Sequence, residues 1–181
     1  MKAEEAYLKG VYVFSPTVFE DQRGYFYESF NTSTFKKLTG LDVNFVQDNQ
    51  SKSSRGVLRG LHFQVGDYEQ AKLVRVIKGK VLDVCVDLRP NSPTFKQYFS
   101  VELTEENKKQ LFVPRGFAHG FLVLEDDTIF SYKCDNYYHK DSERGLIFND
   151  PSIGINWDFP EDELIISEKD KILPTSNTFF K

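Results

Sequence analysis

The feature that most limits the fold is a series of short apolar segments, each closed by a turn signal after a few residues. "GVYVFSPTVF", "VLRGLHFQ", "KLVRVI", "KVLDVCVDL", "YFSVEL", "QLFVP", "HGFLVL" and "TIFSYKC" follow one another along the 181 residues. Short, evenly distributed strands of this kind predict an all-β sandwich or barrel. The 17 Phe and 9 Tyr suit that reading, because aromatic rings pack well on a pleated surface. Lys78 and Gly79 in "IKGKV" predict a compact hairpin, since Gly accepts positive φ. Only short helices are expected: "TSTFKKLT" at 32–39, closed by Gly40, and a turn "TEEN" at 104–107 capped by Thr104.

No repeat, low-complexity tract or linker divides the chain, so residues 1–181 are read as one domain whose segment from Pro151 onward forms a lid or brace. A net charge of −4 leaves no basic footprint for nucleic acid. Cys85 and Cys134 sit apart in apolar runs, without the spacing of a disulfide framework or a thiolate metal site. The opening "MKAEEAYLKG" has acids where a signal peptide needs an apolar stretch, and no segment approaches membrane-spanning length. A soluble cytoplasmic protein is expected.

Period-two alternation places Val81, Asp83, Cys85 and Asp87 on one strand face, a poor core but a good pocket wall, or else a solvated face. His119 shares a face with Phe121 and Val123, and His62 lies in a comparable strand. Two of only three histidines in strand interiors suggest a shared cavity, whereas His139 in "NYYHKDSE" is expected to meet solvent. Tyr132 alternates with Phe130 and Cys134, and either packs with its hydroxyl on a carbonyl or delivers a proton. "GVLRGLHFQ" holds a contradiction, because strict alternation sends Arg59 and His62 to opposite faces. If both serve one site, Arg59 reaches around the rim or a bulge at Gly60 breaks the parity; the bulge is the favoured reading.

Taken in order, "DQRGYFYESF", "FVQDNQSKSSRGVLRGLHFQ", "KLVRVIKGKVLDVCVDLRPNSPTF", "LFVPRGFAHGFLVL", "YKCDNYY" and "SEKD" resemble the successive motifs of the dTDP-4-dehydrorhamnose 3,5-epimerase family, from about residue 10 to residue 171. The resemblance implies a cupin-type jelly roll, a homodimer, and cofactor-free, metal-free inversion of C3 and C5 of dTDP-4-dehydro-6-deoxy-D-glucose in dTDP-rhamnose biosynthesis. It also implies roles. His62 takes the protons, Asp170 pairs with its other ring nitrogen, Lys72 holds the C4 oxygen as it becomes an enolate, and Tyr132 returns a proton from the opposite face. Arg59 and Arg23 fall at the pyrophosphate or nucleotide end, and Glu28, Gln47, Asn49, His119, Glu143 and Lys169 on further substrate contacts. Asp83 is expected to orient Lys72 or His119. The alternatives are an epimerase acting at C3 alone, a metal-dependent cupin built on His62 and His119, and a catalytically silent sugar-nucleotide-binding protein.

Overall fold

The computed structural model describes residues 1–180. Its strands are β1 (Lys2–Glu5), β2 (Tyr12–Ser15), β3 (Phe19–Asp21), β4 (Gly24–Phe26), β5 (Gln47–Ser53), β6 (Val57–Gln64), β7 (Lys72–Lys78), β8 (Lys80–Asp87), β9 (Tyr98–Thr104), β10 (Gln110–Val113), β11 (Phe117–Val123), β12 (Thr128–Cys134), β13 (Glu143–Gly145) and β14 (Ile165–Ile166). Three short helices complete it: α1 (Thr32–Thr39), α2 (Glu168–Lys171) and α3 (Ser176–Phe179).

One sheet has the order β1-β2-β10-β7-β12-β5, and the other β13-β6-β11-β8-β9 with β14 added to β6. Their facing sides bury Val74, Val76, Val81, Leu111, Val113, Phe117, Phe121, Val123 and Phe130. The fold is a β-sandwich, as the short-strand pattern predicts, and of the cupin-like kind that the resemblance implies. Alternation along β7, β8, β11 and β12 supplies this core directly, since every second side chain points between the sheets.

The outer faces are covered as well. Leu58, Val84, Val86 and Leu122 on the second sheet pack under Trp157, Ile155, Phe159 and Phe179, so the segment beyond Pro151 is a brace. Asp150 ties it down, accepting the backbone N–H of Ser176 at 2.5 Å and the Ser152 hydroxyl at 2.7 Å. Phe35 of α1 closes the first sheet's outer side against Phe14, Leu73 and Phe112. That helix begins where Asn31 accepts the Thr34 N–H, and ends at Gly40 in the left-handed conformation.

Two expectations need correction. Lys78 and Gly79 do not close a hairpin, because β7 and β8 lie in different sheets and Gly79 turns the corner between them. Its φ of 80° and the Thr128 side chain, 2.3 Å from where a Cβ would stand, require glycine there for a different reason. His139 does not face open solvent, being half-buried and stacked on Tyr68 with ring centroids 3.9 Å apart.

Beside the core, the β6–β11 ladder breaks its register. His62 pairs with His119 but Arg59 with Phe121, so three steps along β6 match two along β11. The extra residue is the bulge anticipated at Gly60, and it turns Arg59 and His62 toward the same cleft. Gly60 has a φ of 116°, and a Cβ on it would lie 2.6 Å from the Cα of Gly120. The two glycines therefore allow the close backbone approach on which the change of parity depends.

Candidate active site

A cleft of about 530 Å³ opens between the sheets, lined by Arg59, His62, Lys72, His119, Phe121, Phe130, Tyr132, Lys169 and Asp170 among others. A neighbouring lobe of about 290 Å³ shares His62, Lys72 and Tyr132, and adds Gln47, Asn49, Tyr138 and Glu143. The strands deliver these groups from two sides. His62 and His119 come from β6 and β11 of one sheet, Lys72 and Tyr132 from β7 and β12 of the other.

His62 is anchored by Asp170, whose Oδ1 lies 2.7 Å from the ring Nε2. The carboxylate is distant in sequence but delivered locally. β14 runs parallel to the start of β6, pairing Ile165 with Val57, and the chain then turns into α2 beside the bulge. There Asp170 also accepts the Gly60 N–H at 3.3 Å, while its own N–H is capped by Ser167. Burial alone would raise the Asp170 pKa, but the hydrogen bond and charge of His62, with the Gly60 N–H, hold it below the usual carboxylate value.

The second wall is less solvated. Burial lowers the pKa of Lys72, opposed by the fields of Cys134, Asp83 and Glu143. Tyr132 lies beneath it, with the Lys72 Nζ 5.9 Å from the ring centroid. Burial, joined by Cys134 and Glu143 against Arg59, raises the phenol's pKa and keeps its proton on. Asn49 on β5 bonds the Cys134 thiol at 3.8 Å and Gln47 at 3.1 Å.

Around the mouth, Lys169 of α2 meets Glu143 of β13 at 2.7 Å, and Tyr138 donates to the same carboxylate oxygen at 3.0 Å. These bonds, more than offsetting the effect of burial, lower the Glu143 pKa. Arg59 is exposed at the rim with its guanidinium on the Ser53 hydroxyl. Its five donors are otherwise free for an anion.

Ten of the twelve expected site residues thus border the cleft or its lobe; Arg23 and Glu28 do not. Arg23 projects from the β3–β4 hairpin, paired at 2.5 Å with Asp21, and Glu28 accepts from Asn31 at the start of α1. Sequence reasoning missed Tyr138, and the paired rings of "NYYHKD" in a polar stretch were the available signal. It also missed the strand character of β5, whose "QDNQSKS" has no apolar alternation to reveal it. Among the described residues, no three His, Cys, Asp or Glu side chains are grouped to hold a metal ion.

Residues 5–177 match the family model described as dTDP-4-dehydrorhamnose 3,5-epimerase. The chain belongs to that family. It is 53% identical over 169 residues to the dTDP-4-dehydrorhamnose 3,5-epimerase of Escherichia coli K12, covering 93% of this chain and 90% of that one. The Elizabethkingia anophelis epimerase crystal structure superposes with a TM-score of 0.95 at 56% identity, over 98% of this chain and 97% of the other. A Legionella pneumophila dTDP-6-deoxy-D-glucose-3,5-epimerase, crystallised with dTDP-4-keto-L-rhamnose, gives 0.93 at 43% identity over 97% and 93%. Family membership sets the chemistry the cleft has to explain: epimerisation of a dTDP-linked ketosugar.

Proposed function

We propose that the chain is a 3,5-epimerase of dTDP-4-dehydro-6-deoxy-D-glucose, forming dTDP-4-dehydro-L-rhamnose within dTDP-rhamnose biosynthesis. The observation that carries the reading is the placement of a carboxylate-backed imidazole and a protonated phenol on opposite sheets of one cleft. Inversion needs a proton removed from one face of a carbon and returned to the other.

C3 and C5 both flank the C4 ketone, so the electron pair left by either proton delocalises onto the C4 oxygen. The C–H bond is still far less acidic than an imidazolium, whose reference pKa is near ~6.5. The enolate oxygen therefore needs a donor, and one preorganised donor is typically worth about 3 to 4 kcal/mol. Lys72 meets that need, because a poorly solvated ammonium gains most from an oxyanion.

With Nε2 engaged by Asp170, the Nδ1 of His62 is the proton acceptor. Asp170 fixes the tautomer and stabilises the imidazolium formed. Tyr132 then protonates the carbon from the opposite side, and before the second carbon is inverted both groups are reset by exchange with solvent, the imidazolium releasing its proton and the phenolate regaining one. Arg59 takes the pyrophosphate as a planar fork. Gln47, Asn49, His119, Glu143 and Lys169 hold the remainder of the substrate.

Residues 1–181 act as one cytoplasmic epimerase domain in a homodimer. The β3–β4 hairpin supports the second copy, for it exposes Phe19, Tyr25 and Phe26 beside Arg23, none of which lines the chain's own cleft. Substrate contacts from Arg23 and Glu28 are then made in the neighbouring protomer. Among the described residues, no helix is long and apolar enough to cross a membrane.

Turnover of the purified nucleotide sugar before and after exhaustive chelation tests the reading. Conversion to the L-configured ketosugar at an unchanged rate supports it. Substrate returned unaltered, or activity lost on chelation and restored by a divalent cation, contradicts it.

A further inference from the structure

His62 is not the only imidazole in the cleft with its own carboxylate. His119 stands directly across the β6–β11 ladder from it, and Asp83 on β8 approaches the His119 Nε2 with both oxygens, at 2.9 and 3.0 Å. Asp83 is fully buried and His119 is 7% exposed, at the edge where it borders the cleft. The register explains the contact, because Cys85 pairs with His119 and Asp83 lies one diagonal step away on the same inward face. Val81, Cys85, Phe121 and Phe130 occupy the core around it, a setting in which a carboxylate is costly unless it has a specific partner.

We propose that Asp83 is a positioning residue of the epimerisation, holding His119 with its proton on Nε2 so that Nδ1 is directed to the substrate. The inference rests on the epimerase reading and adds to it a second histidine–carboxylate pair beside the first. Asp83 need not touch substrate, since its effect passes through the imidazole. Asp83 also contributes to the field at Lys72 on the facing sheet, so the same buried charge bears on the group assigned to the C4 oxygen.

Nitrogen-15 NMR of the histidine rings in the unaltered protein gives the first readout. His119 protonated at Nε2, with a downfield and slowly exchanging ring N–H, is expected; an Nε2 without its proton overturns the proposal. Asp83→Asn gives the second. It should lower kcat about 100-fold and leave KM within about threefold, as loss of a substrate contact that tightens only in the transition state does. In a His119→Gln background it should cost little more. Unchanged kcat, or losses that simply multiply, would show that Asp83 does not act through His119. If Asp83→Asn fails to fold, the ring tautomer still decides. Absence of turnover in the unaltered protein would count against the epimerase reading itself, leaving the tautomer measurement intact.

Discussion

His62 on β6 and Tyr132 on β12 face one cleft from opposite sheets of the sandwich. A base and an acid on the same sheet would address one face of a bound sugar and exchange its protons without inverting it. In the proposed reaction the two-layer architecture is therefore part of the stereochemistry, and separable tasks fall to separate side chains.

Removing the base should stop every exchange. His62→Ala is expected to abolish deuterium uptake at both carbons, and Asp170→Asn to lower kcat about 10²- to 10⁴-fold, the range of a positioned acid–base group. Single-turnover exchange measurements check this. A His62→Ala protein with normal turnover contradicts the assignment.

Removing the acid should separate the two half-reactions. Tyr132→Phe keeps the ring's packing against Phe130 but deletes the proton donor. Proton abstraction should survive better than inversion at C5, seen as deuterium washing into recovered substrate while L-configured product falls. Equal loss of both would return Tyr132 to a packing role.

Arg59 is exposed at the rim of the cleft. Arg59→Ala should chiefly raise KM, as loss of uniform binding does. A fall in kcat with KM unchanged would place the guanidinium in the chemical step.

The bulge that brings Arg59 and His62 together was legible in "RGLH", because an arginine and a histidine serving one site from an apolar strand need a change of parity and glycine is the residue that permits it. Alternation also put Tyr132 and His119 beside apolar neighbours on one face of their strands, but it left open whether Tyr132 shares the cavity of His62, and Lys72 entered only through the family resemblance. What period two did not reveal was which strands share a sheet. β7 and β8 are adjacent in sequence and separated by one glycine, yet belong to different layers. Nor did local pattern show that both faces of β8 are covered, one by the facing sheet and the other by the brace. The brace over Val84 and Val86 comes from chain some seventy residues away, while Asp83 and Asp87, on the opposite face, are buried toward the facing sheet.

Asp87 gives a stability prediction distinct from the site. Burial would raise its pKa, but Arg89, Ser92 and Thr94 all donate to it and hold it at about 2. The unfolded chain, with a carboxyl pKa near ~3.9, binds this proton more readily than the folded one, so the contribution is complete above that value and is lost as pH falls toward 2. Its size is about 2 kcal/mol. Urea unfolding followed from pH 6 to 2 should show a smaller acid-dependent loss in Asp87→Asn, which is also less stable at pH 6; parallel curves would contradict the assignment.

The most direct test of the whole account is proton NMR of dTDP-4-dehydro-6-deoxy-D-glucose incubated with the protein in D2O. Deuterium entering at both C3 and C5, with formation of the L-configured product, is the predicted result. Deuterium at C3 alone, or at neither carbon, would contradict it.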